Sequence, residues 1–267
     1  MATYRREVQR RRDAGDSSFG VRYADERLAV LDGDVERIVR LLGRDPATPY
    51  RFIRVAEAME ELGRDDDVLR WALRGIAETS GWQVAQLYDL ADGVHTRRGT
   101  SEERLRLRRE QHERMPSSTT YDLLRKAAEP DRWAEERAAA RAVLAVRDPG
   151  ALVDVLLADG EPDAAWRVAV DNADWEPGPQ RWLRLAEARE PSAPDDALDV
   201  YLRLADAMLE TAGRGAYTRA IALLRRARRA AASADRLEYF RQQPPSLRDQ
   251  HRRRPTCVTM LDKAALA

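Results

Sequence analysis

The chain has 267 residues, enough for one long repeat domain or two compact domains. Its 46 basic and 46 acidic residues cancel, so attraction of the whole molecule to nucleic acid or anionic lipid is not expected, although local charged patches are compatible with this balance. A single cysteine excludes an internal disulfide and favours a reducing compartment, and no apolar run reaches the length of about 18 residues that spans a membrane. We therefore expect a soluble cytoplasmic protein.

The residue types favour helices throughout. Charged residues make up 34% of the chain and aromatic residues only 6%, and the abundant Ala, Leu, Arg and Glu are good helix formers. Long runs of β-branched residues at period two are missing, so no sheet is predicted. The expected class is all-α, with about three-quarters of the residues in helices.

The first elements in chain order are a tail and a long helical region. Residues 1–20 are rich in arginine and end in a Gly/Ser/Asp segment without periodicity, so we predict a mobile N-terminus. Helical periodicity begins near residue 21, and residues 21–267 are predicted to form one α-helical repeat domain.

The segment 51–78 predicts two amphipathic helices joined by a tight turn. Apolar residues of the first helix follow the spacing of one helical stripe: Phe52, Val55, Ala56, Met59 and Leu62. Gly63 can adopt the left-handed conformation that ends a helix, and the carboxylates of residues 65–67 suit the start of the next helix. Two adjacent apolar rows mark the second helix: Val68, Ala72 and Ile76, beside Leu69 and Leu73. Each stripe must pack on its partner, which is the unit of a helical repeat protein.

Later segments repeat this pattern less regularly. The helix predicted over residues 100–116 is heavily charged, so we expect it at the surface. A second hairpin covers 152–173, where Gly160 takes the place of Gly63, and a third covers 195–232 with its turn at Gly213. Because these glycines follow no constant period, the prediction is a degenerate tetratricopeptide-like helical-hairpin array, an α-solenoid. The proline-rich stretch 176–194 is either a domain boundary or a loop within one array, and we favour the loop.

No pattern in the sequence predicts catalysis or a cofactor. The histidines, His95, His112 and His251, show no metal-ligand spacing, so we expect them to be solvated and predict no stoichiometric zinc. Neither a phosphate-binding loop nor a nucleophile elbow is present. Cys257 lies beside apolar residues, which favours a small buried side chain over a reactive thiol. We predict a protein that is not an enzyme, with no catalytic, cofactor-binding or metal-binding residues.

Arginine clusters are the candidate contacts for an anion or a nucleic acid. One cluster lies in the tail at residues 10–12, and the site candidates are Arg225, Arg226, Arg228, Arg229, Arg252, Arg253 and Arg254. The more ordinary interpretation of the helical cluster is a solvated flank, because its arginines spread over more than one face. No aromatic platform accompanies it, which weakens single-strand binding. The six tryptophans are expected to pack between helices.

Several passages resemble the helical C-terminal region of actinobacterial SWIM zinc-finger proteins. They are YRFIRVAEAMEELGRDDDVLRWALRGIAE, MPSSTTYDLLRKAAE, DRWAEERAAARAVL, ALVDVLLADGEPDAAWRVAV and, most distinctively, the ending QHRRRPTCVTMLDKAAL. The resemblance covers about residues 21–267 and implies a tetratricopeptide-like module with a role near DNA or DNA-associated protein complexes. The zinc finger itself, a C-x-C…C-x-H arrangement, is missing, so zinc cannot be carried over.

These observations favour binding over chemistry. The leading hypothesis is a non-catalytic scaffold that binds a protein partner, accessory to DNA-associated complexes. The alternative is an accessory nucleic-acid binder that uses the arginine clusters. Neither hypothesis involves a membrane.

Overall fold

The computed structural model describes residues 2–16, 18–43, 48–211, 213–264 and 266. Across them the chain forms sixteen helices and no strand, and 80% of it is helical. The packing of neighbouring helices is that of an all-α helical-hairpin array, which confirms the predicted fold class and helical content. None of the described helices combines the length and apolar character that a membrane crossing requires.

The chain divides into two compact units, residues 1–140 and 141–267. The helices that begin in the first unit are α1 (Ala2–Asp13), α2 (Phe19–Leu31), α3 (Val35–Leu42), α4 (Pro49–Glu61), α5 (Asp65–Glu78), α6 (Val84–Arg98), α7 (Ser101–Arg114), α8 (Ser118–Ala127) and α9 (Pro130–Arg147). Those of the second unit are α10 (Pro149–Ala158), α11 (Pro162–Asp171), α12 (Pro179–Arg189), α13 (Pro194–Glu210), α14 (Arg214–Ser233), α15 (Leu237–Gln250) and α16 (Pro255–Lys263).

The first unit is built around the hairpin α4–α5 and the next helix, α6. Seven of the predicted stripe residues are buried: Phe52, Val55, Ala56, Met59, Val68, Ala72 and Ile76. Leu62 and Leu69 are half-buried, and Leu73, predicted in the adjacent row, is 43% exposed. Gly63 has φ 66°, a left-handed conformation that costs little without a Cβ, so the chain reverses where the sequence predicted. Gly75 lies so close to α4 and α6 that a Cβ there would approach Phe52 and Leu87 within 2.7 Å.

The second unit repeats the arrangement with α10–α11 and α13–α14. Gly160 has φ 75° and ends α10 as Gly63 ends α4. Ala165 and Ala169 of α11 are buried, like Val68 and Ala72 of α5. Helices α13 and α14 form the most extensive helix pair, and α16 packs on α14.

The proline-rich stretch 176–194, for which we favoured a loop, contains helix α12 and lies inside the second unit. The stretch is therefore not one continuous loop, because prolines also start helices: at the first position the missing N–H has no partner to lose. Pro179 starts α12 and Pro194 starts α13, and five other described helices begin in the same way, at Pro49, Pro130, Pro149, Pro162 and Pro255.

Helix α7 agrees with the surface expectation on one face only, because its other face is buried and includes charged and polar residues. Arg108 is only 3% exposed, yet its guanidinium donates to Asp92 at 3.1 Å and Asp89 at 2.9 Å on α6. It also donates to the neighbouring Gln111 at 2.7 Å. Carboxylates on the facing helix thus make burial of a charged face tolerable, which hydrophobic periodicity alone does not reveal.

Two further expectations need adjustment. The tail predicted as mobile contains α1, whose Val8 packs in a small cluster with Ala24 and Leu28, while its mobility stays a prediction. Trp182 is buried as expected, but Trp82, in the turn before α6, is 81% exposed and does not pack in a core.

Candidate functional site

Three of the four candidate arginines on α14 share one face of the helix. Arg225, Arg228 and Arg229 stand at i, i+3 and i+4, the spacing that aligns side chains along one stripe, and Ala232 continues it at i+7. All three arginines are exposed. Among the described residues no carboxylate lies within ion-pair distance of them. The more ordinary interpretation, a solvated flank, did not include this feature: three arginines aligned on one face without an ion-pair partner.

This stripe borders an open groove of about 490 Å³. The remaining lining is apolar and comes from the stripe's own Ala232, from Leu237 at the start of α15, and from Ala264 and Leu266 after α16. The site therefore combines a cationic rim with aliphatic walls.

Arg226 is turned away from the stripe and has partners. Its guanidinium is hydrogen-bonded to Glu187 of α12 and lies 6.0 Å from the ring centre of Tyr201 on α13. Hydrogen bonding to Glu187 raises the pKa of Arg226, and burial opposes this. Arg226 thus ties helices together and is not available to a ligand, as the predicted spread over several faces implied.

The arginines near the C-terminus do not form one cluster either. Arg252 and Arg253 are exposed, and Arg252 lies 3.6 Å from Asp249. Arg254 instead donates to the backbone oxygens of Leu209 and Glu210, at the end of α13. A cation there stabilises the negative end of the helix dipole, so Arg254 has a structural role. In the N-terminal tail, Arg10 and Arg11 both pair with Glu7.

Other arginines of the second unit form ion pairs between helices, which the three arginines of the α14 stripe do not. Arg181 pairs with Asp154 at 2.8 Å, which joins α12 to α10. Arg189 pairs with Asp163 and Asp196, which joins α12 to α11 and α13. Such pairs use arginine charge to hold neighbouring helices together. The charges of Arg225, Arg228 and Arg229 are not used in this way.

Two groups with shifted pKa values, Tyr88 and Asp92, contribute to helix packing. Burial, aided by the hydrogen bond to Glu110, raises the pKa of Tyr88 to about 12. Burial opposes ionisation of Asp92, yet hydrogen bonds from Arg108 and Arg104 hold its pKa below the usual value. Each of these groups bonds a residue on a neighbouring helix, which is a structural arrangement and not a nucleophile poised for reaction.

The expectation of solvated histidines is wrong for two of the three. His112 is 1% exposed: its Nε2 donates to the Ala140 carbonyl at 3.0 Å, and its Nδ1 lies 2.9 Å from the Thr120 hydroxyl. His251 is 3% exposed and lies at the end of α15. His95 is half-buried. Each of the two buried histidines lies on the buried side of its segment, although residues around it are exposed.

One cluster of polar side chains was not predicted from the sequence. Asp206 and Glu210 of α13 meet His251, and one potential ligand atom from each lies within 4.8 Å of the others. A D-x-x-x-E spacing that puts two carboxylates on one helix face was visible in the sequence, but nothing local indicated that His251 would join it. Cys257 is fully buried, which confirms the preferred interpretation of that residue.

Comparison with protein-family models and with curated proteins gives no match for this chain.

Proposed function

We propose that this protein is a non-catalytic interaction module that binds an acidic, partly apolar segment of a partner protein in the α14–α16 groove. The observation that carries the proposal is the unpaired stripe of Arg225, Arg228 and Arg229 beside an aliphatic wall. In a chain whose charges cancel overall, a local excess of three positive charges selects a carboxylate-bearing ligand.

The two parts of the groove contribute differently to recognition. The exposed Ala232 and the half-buried Leu237 offer an apolar surface on which aliphatic or aromatic side chains of the partner can be buried, whereas Leu266 is itself only 4% exposed. The arginine forks bind carboxylates bidentately and fix the register of the segment. A peptide in which acidic residues alternate with apolar ones at helical spacing matches both features, as in other helix-in-groove complexes.

The test compares two double variants on the same helix. Arg225→Gln/Arg228→Gln removes two groove charges, and Arg214→Gln/Arg219→Gln removes two exposed charges of α14 outside the groove. Both keep good helix formers, so their helicity should match the wild type. Immobilised wild type and control should capture the same protein from nuclease-treated native extract, and the groove variant should lose it.

Follow-up titration with the captured partner gives the quantitative result. We expect the groove variant to bind at least about tenfold more weakly, which corresponds to about 1.4 kcal/mol for two charge-assisted contacts. Equal binding by the groove variant and the control would disprove the assignment of this groove.

The second candidate is a nucleic-acid accessory, favoured by the same three arginines together with the exposed Arg252 and Arg253. It requires affinity that falls steeply with salt, because each neutralised phosphate releases counterions. Anisotropy titrations with DNA and RNA at several salt concentrations test it. None of the described residues that line the groove is aromatic, so base stacking on them would not contribute there.

The wider setting rests on the sequence. The resemblance to the helical region of SWIM zinc-finger proteins, and to tetratricopeptide-like arrays, supports a partner that belongs to a DNA-associated complex. The unpaired Cys257 supports residence in the reducing cytoplasm.

A further inference from the structure

We propose that Asp206, Glu210 and His251 bind one divalent transition-metal ion, at a site that uses neither a cysteine ligand nor a zinc-finger motif. Asp206 and Glu210 lie one turn apart on α13, and Glu210 is the last residue of that helix. His251 directly follows α15, which places an imidazole opposite the two carboxylates. One ligand atom from each residue lies within 4.8 Å of the other two.

Two buried atoms in this cluster lack hydrogen-bond partners. His251 is 97% buried, its Nε2 accepts and donates no hydrogen bond, and the same holds for Oδ1 of Asp206. These atoms face each other at 4.0 Å, too far apart for a direct hydrogen bond. Leaving such groups unsatisfied is unfavourable, and an ion between them would satisfy both at once.

The spacing suits a small ion with short bonds. Zinc binds imidazole nitrogen and carboxylate oxygen at about 2.0–2.2 Å, which puts neighbouring ligand atoms of a tetrahedral site about 3.3 Å apart. Closing the present gap requires only small rotations of Asp206 and Glu210, whose side chains are 46% and 56% exposed. Three protein ligands leave a coordination position for water. Mixed nitrogen and oxygen ligands favour Zn²⁺, Co²⁺ or Ni²⁺ over Mg²⁺ and Ca²⁺.

The surroundings supply charge and access. Glu210 also receives a hydrogen bond from Gln250 at 3.2 Å and lies 3.4 Å from Arg254, contacts long enough to be exchanged for a metal bond. Within the cluster the two carboxylates outnumber the one guanidinium, while Asp199, Arg203 and Arg236 balance to a single positive charge in the groove beside it. Asp206 and Gln250 also line an open groove of about 430 Å³ between α13 and α15, through which an ion can enter.

The sequence predicts no zinc site because its cysteine and histidines do not have the local spacing of a zinc motif. In the proposed site the two carboxylates belong to α13, and the imidazole belongs to His251, 41 residues after Glu210. A metal there would link the end of α13 to the connection between α15 and α16.

The test is isothermal titration of the chelator-treated, full-length protein with Zn²⁺, repeated with Mg²⁺. We expect saturation at one Zn²⁺ per chain and no saturable binding of Mg²⁺. Asp206→Asn and Glu210→Gln change exposed carboxylates with little change in shape, and each should weaken Zn²⁺ binding by at least about tenfold. Co²⁺ should give visible absorption bands in the wild type that both variants lose.

Two matched variants serve as controls. Asp249→Asn removes an exposed carboxylate near His251 that is not part of the cluster, and His95→Gln removes another imidazole; both should bind Zn²⁺ like the wild type. Absence of saturable Zn²⁺ binding would overturn the proposal and leave a water molecule or an ion pair between Asp206 and His251. Binding that survives both Asp206→Asn and Glu210→Gln would overturn it equally.

Discussion

Gly75 shows how a single missing methyl group positions three helices. It lies inside α5, where alanine would normally be favoured by about 1 kcal/mol. A Cβ at Gly75 would approach Leu87 and Phe52 within 2.7 Å, and Phe52 is fully buried. Because overpacking costs about 1–3 kcal/mol, we expect Gly75→Ala to lower the free energy of unfolding despite its better helix propensity.

Gly93 on the neighbouring α6 provides the matched control. A Cβ there would meet only Arg97 Nη1, at an ordinary 3.5 Å. We expect Gly93→Ala to stabilise the protein by about 0.5–1 kcal/mol. Urea denaturation followed by circular dichroism measures both changes, and stabilisation by both variants would contradict the close approach at Gly75.

His112 predicts a pH dependence of stability. Burial lowers its pKa from the usual 6.5, against weaker opposing effects of the Ala140 hydrogen bond and the Glu113 charge. The unfolded chain therefore takes up a proton at a higher pH than the folded one. The contribution of neutral His112 is complete above about pH 6.5 and is lost as the pH falls from there toward the folded pKa.

His112→Gln should remove this slope. We expect wild-type stability to fall more steeply between pH 7 and pH 5.5 than that of the variant, whose stability is lower at neutral pH because a buried histidine network is altered. Denaturation midpoints at several pH values give the comparison. His95, whose pKa burial also lowers, is unchanged in both proteins and cancels. Parallel pH profiles would show that His112 is not the responsible group.

At this scale the sequence predicted apolar burial well and polar burial poorly. The stripe of Phe52 and Met59 could be read from spacing alone, because apolar residues at a period near 3.6 have one physical explanation. Arg108 can be buried because it is hydrogen-bonded to Asp92 on another helix. His112 can be buried because it is hydrogen-bonded to Thr120 and to the Ala140 carbonyl, also on other helices. No local pattern encodes such partners.

Among the helices, α8 has the most complete N-terminal cap. The Ser117 hydroxyl accepts from the Thr120 amide at 3.1 Å, and the Thr120 hydroxyl accepts from the Ser117 amide at 3.0 Å. We expect Ser117→Ala to cost about 1 kcal/mol of stability, since it leaves an amide of the first turn unpaired.

Thr48 is the control for this cap. It precedes α4 in the same position, yet its side chain makes no capping hydrogen bond. Thr48→Ala should therefore change the free energy of unfolding by less than about 0.5 kcal/mol. Thermal unfolding of the two variants side by side distinguishes them, and equal losses would contradict the capping geometry.

Helix boundaries were predictable where glycine or a carboxylate marked them, and not where proline did. Gly63 and Gly160 end helices at the predicted turns. Proline was read as an interruption, although Pro179 and Pro194 each occupy the first turn of a helix. A proline at a first turn and a proline in a loop look alike in sequence, and the difference depends on what the following residues pack against.

For the whole molecule, substantial helix contacts join elements that are neighbours or next neighbours along the chain. Stability in such arrays is set locally, by each hairpin and its adjacent interfaces. We expect Gly75→Ala to speed hydrogen exchange in α4, α5 and α6 and to leave α13 and α14 unchanged. Exchange followed by mass spectrometry resolves these peptides, and uniform loss of protection in both units would contradict local stabilisation.

The helical class and the hairpins were accessible from the sequence, whereas the groove and the metal cluster were not. The α14 arginines were identified, but their separation into an unpaired stripe and a paired Arg226 depends on Glu187 of α12. Leu237 and Leu266 join that stripe only because α15 and α16 fold back beside α14. Contacts of this kind, between residues far apart in the sequence, cannot be predicted from hydrophobic periodicity.

The burial of Cys257 gives the chain a native kinetic reporter. Its thiol is inaccessible, and burial raises its pKa, so the folded protein should be inert to thiol reagents. Since it is the only cysteine in the sequence, every labelled molecule records an opening of α16, whose following residues line the groove. A ligand bound in that groove would make such openings rarer and so slow the labelling of Cys257. The labelling rate therefore reports whether the groove is occupied, without an added fluorophore.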